Sequence, residues 1–251
     1  MPGQSSRRLG PLTNILTLPF TVMFIGHFAA GLAAKRVAPR TSLGTLFAAV
    51  QLPDLIWPLL LLAGVERVEI APGDTAYTPL AFTHYPFTHS LLAVLGWAGA
   101  AALLYWAATR YRAGAAMVGL GVLSHWLLDA IVHRPDLPLV PGSEAMVGLS
   151  LWNAPVLTIV LEAAMLVAGV WLYASATRPR NRIGTYALWA LLAVIVLIAA
   201  GNAAGPPPAD VRSLAVFALA GWLLPLWAFW ADRNRLPAEA ERRGVPAGPV
   251  A

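Results

Sequence analysis

The segment SHWLLDAIVHRPD (Ser124–Asp136) decides how this chain folds. It belongs to an apolar run that is long enough to cross a bilayer, yet it carries His125, Asp129 and His133, each four residues after the last. Hydrocarbon cannot hydrate such groups, so ionisable residues in a span face the interior of a bundle. Residues four apart lie on one face of a helix, about 6 Å apart along its axis. The segment therefore predicts a membrane bundle with a polar site inside, and it favours a metal site.

The composition of the whole chain is that of an integral membrane protein. Of its 251 residues, 58% are hydrophobic and only 12% are charged, and the mean hydropathy is +0.66; soluble domains carry about 25% charged residues. The net charge of +5 comes from arginines spread over many short loops, so we expect no nucleic-acid partner. Cysteine is absent, so any metal must be held by imidazole, carboxylate, backbone or water.

The apolar segments of the chain are candidate membrane spans, and each is close to the ~20 residues that a transmembrane helix needs. They cover residues 19–35, 42–63, 87–109, 114–133, 154–175, 184–201 and 211–231. We therefore expect an all-α, polytopic membrane helical bundle of about seven transmembrane helices, forming a single domain over residues 19–231. Residues 1–18 should form a mobile N-terminal tail, and residues 232–251 should form a cytoplasmic tail.

Prolines indicate where these helices begin and bend. Pro86 and Pro155 fit first-turn positions, where the missing N–H costs nothing. Pro53 and Pro225 fall inside apolar runs and should kink or break them.

Orientation follows from the basic residues. With seven spans, the side holding the loops 36–41, 110–113 and 176–183 and the C-terminus carries the larger share of the 17 Lys and Arg residues. The positive-inside rule then predicts an inner-membrane protein with its N-terminus outside and its C-terminus in the cytoplasm.

Ionisable groups cluster in the first two thirds of the chain, and all five histidines lie between positions 27 and 133. In the predicted orientation they reach a similar depth, from mid-membrane to the outer face. We expect a shared metal site built from His27, Asp54, His89, His125 and Asp129. His89 is expected in the first turn of its helix, where the helix dipole keeps the imidazole neutral and able to ligate.

Other polar residues are expected around this site. Asp54 or Glu162 could act as the catalytic base, where not itself a ligand, and Asp129 is expected to be a catalytic residue as well as a metal ligand. His133 lies about 12 Å along the helix from His125, too far for one mononuclear site, so it should serve a second metal, bind substrate, or lie at the membrane interface with Arg134. Arg134 beside it could hold an anionic group such as phosphate.

The loops on this outer side receive simpler interpretations. Residues 65–87 and 135–153 are long for a compact bundle, which is typical of lids or binding elements. Glu66, Glu69 and Asp74 are interpreted as a solvated loop. His84 could be a solvated residue or a ligand.

Structural interpretations of individual residues stay open at this level. His27 alone could be a hydrogen-bonding partner between helices. Asp54 follows Pro53 and could cap a broken helix. Glu162 could be a buried protonated acid. The set as a whole favours a shared site, because ionisable residues in a membrane are expensive.

Four motifs resemble those of the bacterial inner-membrane metal-dependent hydrolases, a family with a LexA-binding branch. The motifs are GHFAAG (Gly26–Gly31), QLPDLIW (Gln51–Trp57), YPFTHSLL (Tyr85–Leu92) and SHWLLD (Ser124–Asp129). The resemblance covers roughly residues 20–175, which contain the predicted site. It implies a membrane fold and a hydrolytic activity.

A more distant likeness is to the helical zinc-dependent phospholipase C and single-strand nuclease group. The shared order is His, Asp, His and then His-x-x-x-Asp, at His27, Asp54, His89, His125 and Asp129. Those enzymes bind three zinc ions and also use an N-terminal tryptophan amine and a later His-x-x-x-Glu, which this chain lacks. The likeness implies zinc as the cofactor, and we expect one or two metal ions.

The leading hypothesis is therefore a metal-dependent hydrolase in the membrane. Its substrate would be an ester or phosphoester, either lipid-like or phosphate-containing, that is membrane-borne or periplasmic. A transporter or a metal-binding protein without hydrolytic activity is the alternative, although the chain has no inverted repeat of the kind many transporters carry. A third hypothesis is a structural bundle that uses its polar residues for helix association.

Overall fold

A computed structural model describes residues 25–238, and most of them are helical. The helices are α1 (Ile25–Val37), α2 (Leu43–Val50), α3 (Leu52–Leu62), α4 (Pro86–His89), α5 (Leu91–Thr109), α6 (Arg112–Val132), α7 (Pro155–Ala176), α8 (Arg182–Ala204), α9 (Val211–Ala218) and α10 (Leu223–Arg233). Two 3₁₀ turns cover Leu151–Asn153 and Leu219–Trp222. The predicted N-terminal tail and the last residues of the predicted C-terminal tail lie outside the described part of the chain.

Short antiparallel strand pairs lie at both ends of the bundle. The strands are β1 (Arg67–Ile70), β2 (Leu80–His84), β3 (Leu137–Pro138), β4 (Met146–Val147), β5 (Thr177–Pro179) and β6 (Arg235–Pro237). The pairs β1–β2 and β3–β4 fall within the two long loops that the sequence predicts on the outer side, so these loops carry ordered structure.

Five helical segments are long and apolar enough to span a membrane: α5, α6, α7, α8 and the stretch Val211–Arg233. The bent pair α2–α3 makes a sixth if it is one span. The membrane bundle is thus supported, but the count of seven is not confirmed. The first predicted span (residues 19–35) is described only from Ile25 onward, and the 13 residues of α1 (Ile25–Val37) are too few to cross a bilayer alone.

The proline predictions are confirmed. Pro86 and Pro155 are the first residues of α4 and α7. At Pro53 the chain bends by 55° between α2 and α3, because proline cannot donate to the carbonyl four residues earlier. Before Pro225 the last span passes through the 3₁₀ turn that ends at Trp222.

Two hydrophobic cores hold the helices together. One packs α3, α5, α6 and α9 around Trp57, Val94, Val122, Trp126 and Leu214. The other packs α1, α2, α7, α8 and α10 around Phe28, Phe47, Tyr173, Leu191 and Leu224. Helices α1 and α7 approach closely at Gly169, where a Cβ would lie 2.7 Å from the Ala29 carbonyl oxygen. Small residues allow this close packing between helices in membranes.

A buried charged network closes the end of the bundle that is predicted to face the cytoplasm. Lys35 Nζ donates to Asp232 Oδ2 at 2.6 Å, and the same carboxylate accepts from the Leu43 N–H and the Tyr173 hydroxyl. Strand β6, which follows Asp232 closely in the chain, pairs with strand β5. Residues 232–237 therefore belong to the packed bundle and not to a tail, because these contacts tie them to α1 and α7.

Candidate metal centre

Five side chains from four helices meet at one point inside the bundle. His27 lies on α1, Asp54 in the first turn of α3, His89 at the end of α4, and His125 and Asp129 one turn apart on α6. Asp129 touches all three imidazoles: its oxygens lie 3.3 Å from His27 Nε2, 3.2 Å from His125 Nε2 and 3.8 Å from His89 Nε2. These are the five residues that the sequence predicts to share a site.

Asp54 completes the cluster from the opposite side. Its Oδ1 lies 3.4 Å from His89 Nε2 and 3.7 Å from His125 Nε2. The residues form two groups with ligand spacing, His27–His125–Asp129 and Asp54–His89–His125, in each of which the ligand atoms lie within 4.8 Å of one another. The α3 N-cap is Gln51, so capping the broken helix is not the role of Asp54.

The bend between α2 and α3 orients His125. The helix break leaves the Val50 carbonyl free of its helical partner, and it accepts a hydrogen bond from His125 Nδ1 at 2.8 Å. A carbonyl only accepts, so Nδ1 carries the proton and Nε2 of the neutral ring carries a lone pair. Nε2 is buried and, among residues 25–238, has no hydrogen-bond partner. Asp129 Oδ2 lies 3.2 Å from this nitrogen.

A relay of hydrogen bonds orients His89 in the same way. Glu66 accepts from the backbone N–H groups of Phe87 and Thr88 and from the Thr88 hydroxyl at 2.7 Å. Since the Thr88 proton is given to Glu66, its oxygen accepts from His89 Nδ1, also at 2.7 Å. The Nε2 lone pair of His89 therefore points into the cluster. Such outer partners fix the tautomer of metal-binding histidines.

The predicted position of His89 was wrong in one respect. It does not lie in the first turn of the long α5 span but at the last residue of the short helix α4. Ser90 separates the two helices, because its extended backbone (ψ 146°) breaks the chain of helical hydrogen bonds and its hydroxyl caps α5. The Glu66–Thr88 relay, and not the helix dipole, accounts for the orientation of the His89 ring.

Replacing Glu66 by Gln tests this positioning role. The new amide group would donate to the Thr88 oxygen, the Thr88 hydroxyl would then donate to His89 Nδ1, and the His89 proton would move to Nε2. We expect the affinity for zinc to fall by ~10–100-fold, as for other outer-shell partners. Competition with a fluorescent chelator measures it.

Glu69→Gln is the matched control, because Glu69 is exposed on the same hairpin. Its zinc affinity should equal that of the wild type. A metal-free melting temperature unchanged in Glu66→Gln would separate the positioning role from a general loss of structure. Zinc affinity within twofold of the wild type in Glu66→Gln would contradict the relay.

The donor set suits a divalent cation. Three imidazole nitrogens and two carboxylates carry a net charge of −2 when the histidines are neutral, which a divalent ion would neutralise in this buried place. Four of the five residues are buried, and only Asp54 is partly exposed, with a side-chain accessibility of 26%. Nitrogen and oxygen ligands of this kind bind zinc and related metals. This buried His/Asp group could therefore hold a metal ion.

Comparison with known proteins identifies the family of this chain. A family model described as YdjM inner membrane protein matches residues 18–204, well over half of the chain. The chain belongs to the YdjM inner membrane protein family. It matches no curated protein and no solved structure. The membership confirms the resemblance to an inner-membrane family, and the matched region contains all five residues of the cluster.

Two further site predictions for this YdjM-family chain concern the outer face. His133 is buried outside the cluster, with Nδ1 3.1 Å from Asp136 Oδ1 and 3.4 Å from the Tyr85 hydroxyl. Arg134 pairs with Asp74 at 2.6 Å and with Asp136 at 3.0 Å, and its side chain is 38% exposed. The carboxylates of Asp74 and Asp136 both pair with the Arg134 guanidinium. The predicted roles of His133 and Arg134 in binding substrate stay predictions.

Hydrogen bonds stabilise the charged form of Asp136 in this outer group. Burial alone would raise its pKa, but the hydrogen bond with His133, followed by those from Arg134 and Tyr85, outweighs burial and lowers the pKa of Asp136. Asp74, interpreted from the sequence as solvated, is held here by Arg134.

Glu162 lies on α7 at the edge of the site. Its Oε2 accepts from the Ile25 N–H at 3.3 Å, two residues before His27, while Oε1 is buried without a partner in the part of the chain that the structure describes. Burial, and then the charge of Glu162, raise the pKa of Tyr77 in the outer hairpin to about 12. Glu162 is not in either ligand group, and its role as a catalytic base stays a prediction.

Sequence reasoning missed two residues beside the cluster. Glu66 is not solvated but buried, because the β1–β2 hairpin folds back over the end of α4. No local sequence pattern predicts that contact. Gln51 did leave a signal: it is a polar residue between Val50 and Leu52 in an apolar run.

Proposed function

We propose that the protein is a membrane-embedded metal-dependent hydrolase that acts on an ester or phosphoester of a membrane-borne substrate. Zinc is the proposed cofactor, held by His27, His89, His125 and Asp129, with Asp54 beside it. The observation that carries the proposal is the buried cluster of three imidazoles and two carboxylates, with the Nε2 atoms of His89 and His125 turned toward it by their hydrogen bonds at Nδ1.

Metal chemistry explains why such a cluster supports hydrolysis. A bound zinc ion supplies Lewis acidity toward a carbonyl or phosphoryl oxygen and makes water nucleophilic at neutral pH. The chain itself supplies the fixed ligands, a proton acceptor and the exclusion of bulk water.

The two carboxylates differ in their surroundings, and this suggests a division of roles. Asp129 is enclosed by three imidazoles and has only 7% of its side-chain surface exposed, as expected for a ligand. Asp54 is the one member of the cluster with substantial exposure, at 26%. We assign Asp54 the task of taking the proton from the attacking water, because substrate and water can reach it.

Metal removal tests the proposal first. Purified protein should contain about one or two zinc equivalents per chain, as expected from the size of the donor set. Chelation should lower the melting temperature, because a ligand bound only by the folded state stabilises it. His125→Ala should lose the metal, while His84→Ala, at an exposed histidine of β2, should retain it.

Activity separates the proposed function from its alternatives. Zinc-dependent turnover of p-nitrophenyl palmitate or bis(p-nitrophenyl) phosphate by the wild type, lost in His125→Ala, would support hydrolysis. Bound metal without turnover of esters or phosphoesters would favour a transporter or a metal-binding protein. A metal-free cluster that does not take up zinc would favour the structural bundle.

A further inference from the structure

A cavity of about 220 Å³ opens between α3 and the last three helices. Its walls are almost wholly apolar and include Leu55, Ile198, Phe217, Leu223, Leu224 and Trp227. The volume is smaller than the ~300–1,000 Å³ of pockets for drug-sized ligands, so it suits a segment of a chain rather than a bulky molecule. Since α8 and the α9–α10 stretch are candidate spans, the cavity lies at membrane depth.

The polar members of its lining are Gln51 and Asp54. Asp54 belongs to the proposed metal cluster, so the cavity reaches the cluster at its most exposed member. A molecule in the cavity would therefore contact the site from within the apolar layer.

Gln51 is one of the residues that line this cavity, and its carboxamide is buried without a hydrogen-bond partner in the described part of the chain. The residue is only 1% exposed, and neither Oε1 nor Nε2 has a hydrogen-bond partner among the described residues. Leaving such a group unpaired in an apolar place costs free energy, so it signals a missing polar partner. Gln51 stands one helical turn before Asp54, which places that partner beside the metal cluster.

We infer that the cavity binds the acyl chain of an ester lipid and that the Gln51 amide donates a hydrogen bond to the ester carbonyl beside the cluster. The inference rests on the proposed function where it concerns hydrolysis, and it names the substrate class as an acyl ester that enters sideways from the bilayer. The apolar walls match the chain, and the unpaired amide matches the carbonyl.

Photo-crosslinking tests the position of the chain without any turnover. The protein is placed in phosphatidylcholine vesicles doped with phosphatidylcholine that carries a diazirine on its acyl chain, and the labelled peptides are mapped by mass spectrometry. We expect excess label on the cavity-lining peptides of α3, α8 and α10.

Filling the cavity should remove that label. Gly221 lines the cavity, and a Cβ there would meet Leu55 Cδ2 at an ordinary 3.7 Å. Gly221→Leu should reduce cavity labelling about tenfold, the loss expected when roughly two methylene groups find no room. Gly221→Ala should give a smaller decrease. Gly99→Leu adds the same side chain on α5, where nothing lies within 4 Å, and should leave labelling unchanged.

Gln51→Leu tests the carbonyl contact. Wild-type protein should be labelled about fivefold more by the ester-linked probe than by its ether-linked analogue, the discrimination expected of one neutral hydrogen bond. In Gln51→Leu this preference should vanish, while the melting temperature stays the same or rises because a buried unpaired amide has been removed. A structural role for Gln51 would instead lower the melting temperature.

The outcomes separate the two proposals. Label confined to the cavity and lost in Gly221→Leu, but without hydrolysis of any ester, would keep the lipid site and reject the hydrolase. Hydrolysis with label spread evenly over all exposed helices, and equal in Gly221→Leu, would overturn the lipid site and keep the hydrolase. Equal labelling by the ester and ether probes in the wild type would overturn the role of Gln51.

Discussion

Asp129→Asn should abolish turnover while the bundle stays folded. The asparagine has the same shape but no negative charge, and its amide would turn a donor toward at least one of the imidazole nitrogens that Asp129 now contacts. Losing an outer-shell partner costs ~10–100-fold, so removing a central ligand should cost more than ~100-fold in activity and zinc affinity. Steady-state hydrolysis with saturating zinc and metal analysis measure the two effects.

Asp210→Asn provides the matched control for this prediction. Asp210 is an exposed N-cap of α9, and asparagine caps helices equally well. Its activity, zinc content and melting temperature should match those of the wild type. Wild-type turnover of an identified substrate by Asp129→Asn would reject the proposed mechanism, whereas loss of turnover with retained zinc would move Asp129 from ligand to base.

Asp232→Asn should produce the largest loss of stability. Asp232 accepts from Lys35, from the Leu43 N–H and from the Tyr173 hydroxyl inside the bundle. Neutralising it removes the negative charge that balances the buried Lys35 ammonium, whose other acceptor shown among the described residues is the neutral Thr41 carbonyl. Breaking a buried ion pair from one side costs about 3–5 kcal/mol in the free energy of unfolding. Unfolding by SDS in mixed micelles measures it.

Arg233→Gln controls for the position, because Arg233 is the next residue and is exposed. Its free energy of unfolding should change by less than about 0.5 kcal/mol. Lys35 is eight residues from His27 on α1, about 12 Å along the helix, so folded Asp232→Asn should keep its zinc. A loss below about 1 kcal/mol in Asp232→Asn would show that the ion pair contributes little to the bundle.

The membrane setting and the members of the buried His/Asp cluster could be predicted from the chain because their signals are local. The apolar runs give the spans, and Pro53 and Pro225 mark the irregular points. The i, i+4 spacing of His125 and Asp129 places both side chains on one helix face whatever surrounds it. The free-energy cost of placing ionisable groups in a membrane adds a constraint on the whole bundle. Ionisable residues on different spans must contact one another, because hydrocarbon offers them no other polar partner.

The neighbours of these cluster residues could be learned only from the way the helices pack. The Val50 carbonyl reaches His125 because α2 and α3 bend by 55°, and Glu66 reaches Thr88 because a hairpin folds back over α4. The pairing of Lys35 with Asp232 joins residues 197 positions apart. Such contacts depend on the relative placement of whole helices, which no local periodicity encodes. Local sequence signals indicate which residues must be buried together, whereas the packing of the helices determines how each buried group is oriented and which hydrogen bonds it makes.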